Sequence, residues 1–209
     1  MSTWWRRNRW ALLVLPLALV LAAASTSYRV VTLWNPWQLT DEVSGAPGSP
    51  VRLVDELEDV DGTYVVDLTV SAGSARTVTS LTDEELDTVF FPARTGTVVW
   101  QIDLTVTADP ASVVSGCQLR LVDRAGRETS YSTVAPGAEV PFDPCVPATT
   151  PGPRPDVGLG PTVEEGPARP ETYTVPVVFR TAEDFVPARL DLWYATPRFA
   201  GLDLTVEED

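Results

Sequence analysis

Histidine and lysine are both missing from this chain, and cysteine occurs only twice. Without His there is no Ser-His-Asp or Cys-His nucleophile, and without Lys no Ser-Lys dyad or Schiff base. Zinc loses its commonest ligand, and two cysteines are too few for a structural zinc centre. There is no phosphate-cradling P-loop and no G-x-G-x-x-G after a strand. Positive charge is scarce as well: 15 basic residues, all Arg, face 29 acids for a net charge of −14. A basic nucleic-acid footprint is therefore absent. Every acid lies at Asp41 or beyond, so the body of the chain is also repelled by anionic lipid surfaces. The acidity reads as a solubility device. No cofactor is implied.

What is present begins with a charge-free stretch from Trp10 to Tyr28, WALLVLPLALVLAAASTSY, bracketed by Arg9 and Arg29. About 20 apolar residues cross the hydrocarbon core as a helix. The expected span is 10–31, with Arg29 snorkelling to the interface. Arg6, Arg7 and Arg9 form a basic stub over 1–9 and predict a cytoplasmic N-terminus. Trp4, Trp5 and Trp10 on one side, and Tyr28, Trp34 and Trp37 on the other, suit the two membrane interfaces. Pro16 is tolerable inside such a helix. A signal peptide cleaved after Ala24 is the alternative, because Ala22-Ala23-Ala24 supplies small residues for a peptidase. Both readings export the remainder.

Residues 32–50 carry Asn-Pro, Gly-Ala-Pro and Gly-Ser-Pro and read as a linker. From 51 onward the pattern is period two. Tyr64, Val66, Leu68 and Val70 alternate with Val65, Asp67 and Thr69. Ser71 to Ala75 reads as a turn, and Asp83 to Leu86 as a single helical turn. TVVWQIDLTVT puts Val98, Trp100, Ile102, Leu104 and Val106 on one face and is the expected core strand. CQLRLV follows, with Cys117, Leu119 and Leu121 inward, and Asp123-Arg124-Ala125-Gly126 turns a hairpin. Residues 135–170 are rich in Pro and Gly and read as a long surface loop. In ETYTVPVVFR, Tyr173, Val175, Val177 and Phe179 share a face. Pro176 lacks a donor, which places that strand at an edge. Leu190, Leu192 and Tyr194 alternate next, then Leu202, Leu204 and Val206. The total of about seven or eight short strands predicts an all-β, immunoglobulin-like antiparallel β-sandwich over 51–209, behind one N-terminal transmembrane helix. Cys117 and Cys145 both fall in the exported part and are expected to form a structural disulfide. A buried Trp100 beside that bridge would match immunoglobulin-type cores.

The long alternating strand, the LRLVD-x-x-GRE hairpin, the Pro-rich loop, YTVPVVF and PARLDLWY together resemble the telokin-like, immunoglobulin-related domains of unknown function on exported Gram-positive proteins. The resemblance covers about Thr95 to Tyr194. It implies a sandwich fold and a location behind a signal or lipid anchor, with no assigned active site. WWRRNRW, the apolar run and Trp-Asn-Pro-Trp are similar to small membrane-anchored proteins of high-GC bacteria.

Few chemical motifs remain. With Gly62 aligned to the glycine of an EF-hand loop, Asp59 and Asp61 fall on ligand positions, but Leu57 and Leu68 occupy the first and twelfth. Asp55 to Asp61 and Asp83 to Asp87 read as solvated acidic loops. Asp67, Asp103, Asp191 and Asp203 are expected on the wet sheet face, where two carboxylates at a defined separation could serve a divergent hydrolase. Trp193, Phe90 and Phe91 are the candidate partner-contact residues, as large apolar groups with no assigned place inside. The leading expectation is a non-enzymatic, single-pass membrane protein with an extracytoplasmic interaction domain, an accessory subunit of an envelope or transport assembly. A secreted binding domain is the alternative.

Overall fold

The computed structural model describes residues 2–46, 48–59, 62–81, 89–90, 94–131, 134–135, 138–139, 143–155, 163–164 and 166–207. The chain divides into two compact units, Met1–Leu39 and Thr40–Asp209.

The first unit is a helix, α1 (Ser2–Arg29), continued by a π-turn at Val30–Trp34 and a 3-10 turn at Asn35–Trp37. It is long and apolar enough to cross a membrane over Arg7–Trp37, and none of its apolar window is buried by protein. Pro16 lies inside α1 without ending it. Three hydroxyls near the C-terminal end fold back onto the helix's own carbonyls: Thr26 onto Ala22 at 2.7 Å, Ser27 onto Ala24 at 2.7 Å and Thr32 onto Tyr28 at 2.6 Å.

The second unit is a β-sandwich built from β1 (Asp41–Ser44), β2 (Val51–Asp59), β3 (Gly62–Thr77), β4 (Thr97–Ala108), β5 (Gln118–Asp123), β6 (Glu128–Ser130), β7 (Thr172–Ala182), β8 (Pro187–Trp193) and β9 (Arg198–Asp203). One sheet runs β7-β4-β3-β2 and the other β1-β9-β8-β5-β6. Neighbours are antiparallel except β1, which runs parallel to β9. Alternation selects the core: Ile102, Leu104 and Val106 of β4 face Val177, Val175 and Tyr173 of β7, and Leu119, Leu121, Leu190 and Leu192 come from the other sheet. β7 lies at a sheet edge, as Pro176 requires. Its partner across the ladder is Asp103.

Several expectations change. The strands outnumber the seven or eight anticipated, because β1 lies within the stretch read as linker. Asp55 to Asp59, read as part of an acidic loop, belong to β2, whose Val51 and Leu53 are buried. The turn at Ser71 to Ala75 is a β-bulge within β3, where Ala72 faces Leu104 but Ala75 faces Ile102. One inserted residue bends the strand. There Ala75 also bridges Val206, and Ser74 bonds Glu207. Cys117 precedes β5 rather than opening it. The Pro-rich segment holds short ladders, Val134–Ala135 with Ala138–Glu139 and Arg154–Pro155 with Val163–Glu164. It also buries Cys145, Val146 and Arg169 in the fold. The helical turn at Asp83 to Leu86 lies outside the described residues.

Candidate functional site

Cys117 and Cys145 are joined by a disulfide with a Cα–Cα separation of 6.1 Å. It closes one pole of the sandwich. Asp143 accepts the N–H of Gly116 at 2.7 Å and of Cys145 at 3.1 Å. Tyr173 donates its hydroxyl to the Cys145 carbonyl at 2.8 Å, and Tyr194 to the Val114 carbonyl at 2.7 Å. Arg169, buried nearby, donates to three carbonyls: Pro151 at 3.2 Å, Asp109 at 2.8 Å and Ser112 at 2.9 Å. One guanidinium thus joins three loop carbonyls, of which that of Asp109 also accepts the Ser112 N–H and hydroxyl.

Burial dominates the electrostatics of this pole. It raises Asp143, against the lowering effect of the Gly116 and Cys145 N–H groups and the charges of Arg154 and Arg169. It raises Tyr173 to about 12 and Tyr194 well above the usual phenol range. Cys117, Asp143 and Cys145 place their ligand-type atoms within 4.8 Å of one another. Both sulfurs are spent on each other, which leaves one carboxylate there. Trp100 does not join this pole. It pairs across β4 with Phe179 and Thr77, while Val106, beside Tyr173, is roughly 20 Å further along the strand. The expected Trp–disulfide contact is therefore absent, because the bridge ties loops at one end instead of spanning the middle of the core.

The outer face of the five-stranded sheet carries a second cluster. Asp191 is completely buried, with Arg120 at 2.6 Å and Arg189 Nε at 2.7 Å. Arg120 also reaches Glu128 at 2.9 Å and Arg189 reaches Glu42 at 3.5 Å. The Arg189 guanidinium stacks over Phe199, centred 5.7 Å away. Asp191 was expected on a wet face. Two arginine side chains from flanking positions cover it instead. Asp67 pairs with Arg52 at 2.6 Å, whose hydrogen bond holds its carboxyl below the usual range, and Asp103 pairs with Arg76 at 2.9 Å. Asp67, Asp103 and Asp191 thus each lie against an arginine, while Asp203 is exposed at the end of β9. The crevice lined by Gly45, Ala46, Gly48, Ser49, Ala72 and Gly201 holds about 10 Å3, room for one water at most.

Trp193 ends β8 opposite Gln118 and is half-buried, at the end of the strand that carries Asp191. Phe90 lies in a two-residue strand paired with Ser80–Leu81, and Phe91 lies outside the described residues. The structure does not unite these aromatics with Trp193 in one described patch. Sequence reasoning missed Arg169 and the Arg120–Asp191–Arg189 cluster. The alternation of Arg120 with Leu119 and Leu121, and of Arg189 and Asp191 with Leu190 and Leu192, was the available signal. Comparison with family models, curated proteins and solved structures gives no match to this chain.

Proposed function

We propose that the chain is a non-enzymatic, single-pass membrane protein whose N-terminus is cytoplasmic. Its immunoglobulin-like sandwich works outside the membrane by protein contact, as an accessory part of an envelope or transport assembly. One observation carries this reading. Leu13, Leu17 and Val20 are 67%, 60% and 63% exposed on a helix that no protein surface covers. Lipid is the medium that removes such side chains from water. The back-bonded hydroxyls of Thr26, Ser27 and Thr32 fit the same medium, where unsatisfied polar groups are costly. The cluster Arg6, Arg7, Arg9 supports the orientation. The parallel β1 on β9 and the two-sheet strand order support an immunoglobulin-like arrangement. The position of the disulfide departs from it. The arginine partners of Asp67, Asp103 and Asp191 weigh against a carboxylate hydrolase, which needs a free pair.

Alkaline extraction of membranes and protease treatment of intact spheroplasts test the reading together. The chain should stay with the membrane, and its sandwich should be cut or labelled from outside. Recovery of the sandwich in the soluble fraction with a mature start after Ala24 would replace the anchor by a secreted domain. A photo-crosslinker at Trp193 tests the contact role. A reproducible adduct supports it, and an adduct-free Trp193 under conditions that label a control surface site removes that face from the proposal.

A further inference from the structure

β1 holds the sandwich by little. It is a four-residue edge strand with one neighbour, β9, and its side chains are exposed except Val43, which is half-buried. Parallel pairing is slightly weaker per residue than antiparallel. Two ion pairs add to the ladder, Asp41 to Arg198 at 2.8 Å and Glu42 to Arg189 at 3.5 Å, all with side chains about a third to a half exposed. Exposed pairs contribute little and are screened by salt. The N–H groups of Thr40 and Asp41 share one acceptor, the Pro197 carbonyl, at 3.0 and 3.1 Å. The Glu42 carboxylate rests where Gly201 has no side chain: an added Cβ would lie 2.7 Å from its oxygen. Gly45, Ala46, Gly48, Ser49 and Pro50 then lie outside any strand, and Gly48 takes a left-handed φ of 73°. At Val51 the character changes at once, because Val51 and Leu53 are buried in the core.

We propose that β1 is a strap that undocks from β9 while the rest of the sandwich stays folded. The proposal rests on the tethered reading above. With β1 docked, the chain between the last helical turn and the sheet is Gln38–Thr40. With β1 released, it runs from Gln38 to Pro50, and residues 41–50 add up to roughly 35 Å of reach. Release removes no fully buried side chain, so it belongs to the low-stability end of local opening. It also uncovers the β9 edge and frees Arg198 from Asp41.

Amide hydrogen exchange on the full chain in lipid nanodiscs tests this. The bonded amides of β1, Asp41 among them, should exchange at least about 100-fold faster than the bonded amides of Leu190 and Leu192. Raising the salt should accelerate β1 alone. Asp41→Cys with Arg198→Cys joins register partners. Oxidation of that pair should slow β1 toward the rate of β8, and reduction should restore it. Equal exchange of β1 and β8 in the unaltered chain, at low and high salt alike, overturns the proposal. The N-terminal peptide in the same spectra reports whether the chain is intact from its start, so loss of the anchor reading is scored separately.

Discussion

Asp191 and Arg120 face each other at 2.6 Å, with the carboxylate fully buried on the outer side of a sheet whose inner side carries Leu190 and Leu192. Arg189 closes on the other carboxylate oxygen. Removing the anion leaves two arginines partly out of water and facing each other. Asp191→Ala should lower the unfolding free energy by about 3 kcal/mol, the cost of orphaning a buried partner. Urea unfolding measures it, and a variant as stable as the parent would mean the pair only fills space.

The disulfide spans 28 residues of sequence. In the chain-entropy model a loop of that size stabilises by about 3.5 kcal/mol. Replacing Cys117 and Cys145 with Ser should lower the urea midpoint under non-reducing conditions. Adding a reductant should then bring the parent down to the variant.

Asp143 gives a pH signature. Burial raises its carboxyl in the folded state above the unfolded value. Between the two values the folded chain holds a proton that the unfolded chain has lost. Stability from this group is therefore full below the ordinary carboxylate range and declines as pH rises through the raised folded value. Asp143→Asn should flatten that decline. Unfolding free energies of parent and variant across mildly acidic to neutral pH provide the comparison. A constant difference between them would show that the charge is not what matters at 143.

Two truncations separate the faces of the four-stranded sheet. Leu104 is fully buried on β4, and Leu104→Ala should cost about 2–5 kcal/mol. Val65 is exposed on β3, and Val65→Ala should stay within about 0.5 kcal/mol. A large effect at Val65 in the full chain would reveal a covered surface there.

Much of this architecture was legible because alternation and burial share a cause. Val98 to Val106 and Tyr173 to Phe179 announce their inner faces two residues at a time, and Pro176 announces an edge by lacking a donor. Asp123 and Gly126 announce a hairpin, and the Asp123 carboxylate does accept the N–H groups of Ala125 at 2.8 Å and Arg127 at 2.7 Å. Other features depend on partners far away in the chain. Asp41 to Ser44 has little apolar content, and becomes a strand only because β9 offers an edge with Arg198 and, beside it, Arg189. Ser71 to Ala75 looks like a turn by composition, yet its small residues serve a bulge. Asp191 looks wet by periodicity until two arginines lie across it. Arg169 could not be placed from its Pro-rich surroundings, since its role is to satisfy carbonyls of loops that meet only in three dimensions.

The rims of the four-stranded sheet have a consequence at high density. On one rim Pro176 interrupts the row of donors. On the other, Asp55 accepts the Ala195 N–H at 3.2 Å and Arg198 donates to the Val54 carbonyl at 3.1 Å. Neither rim offers a neighbour an unbroken run of free backbone groups. Copies crowded side by side along this sheet should therefore remain separate bodies instead of zipping into a continuous ribbon.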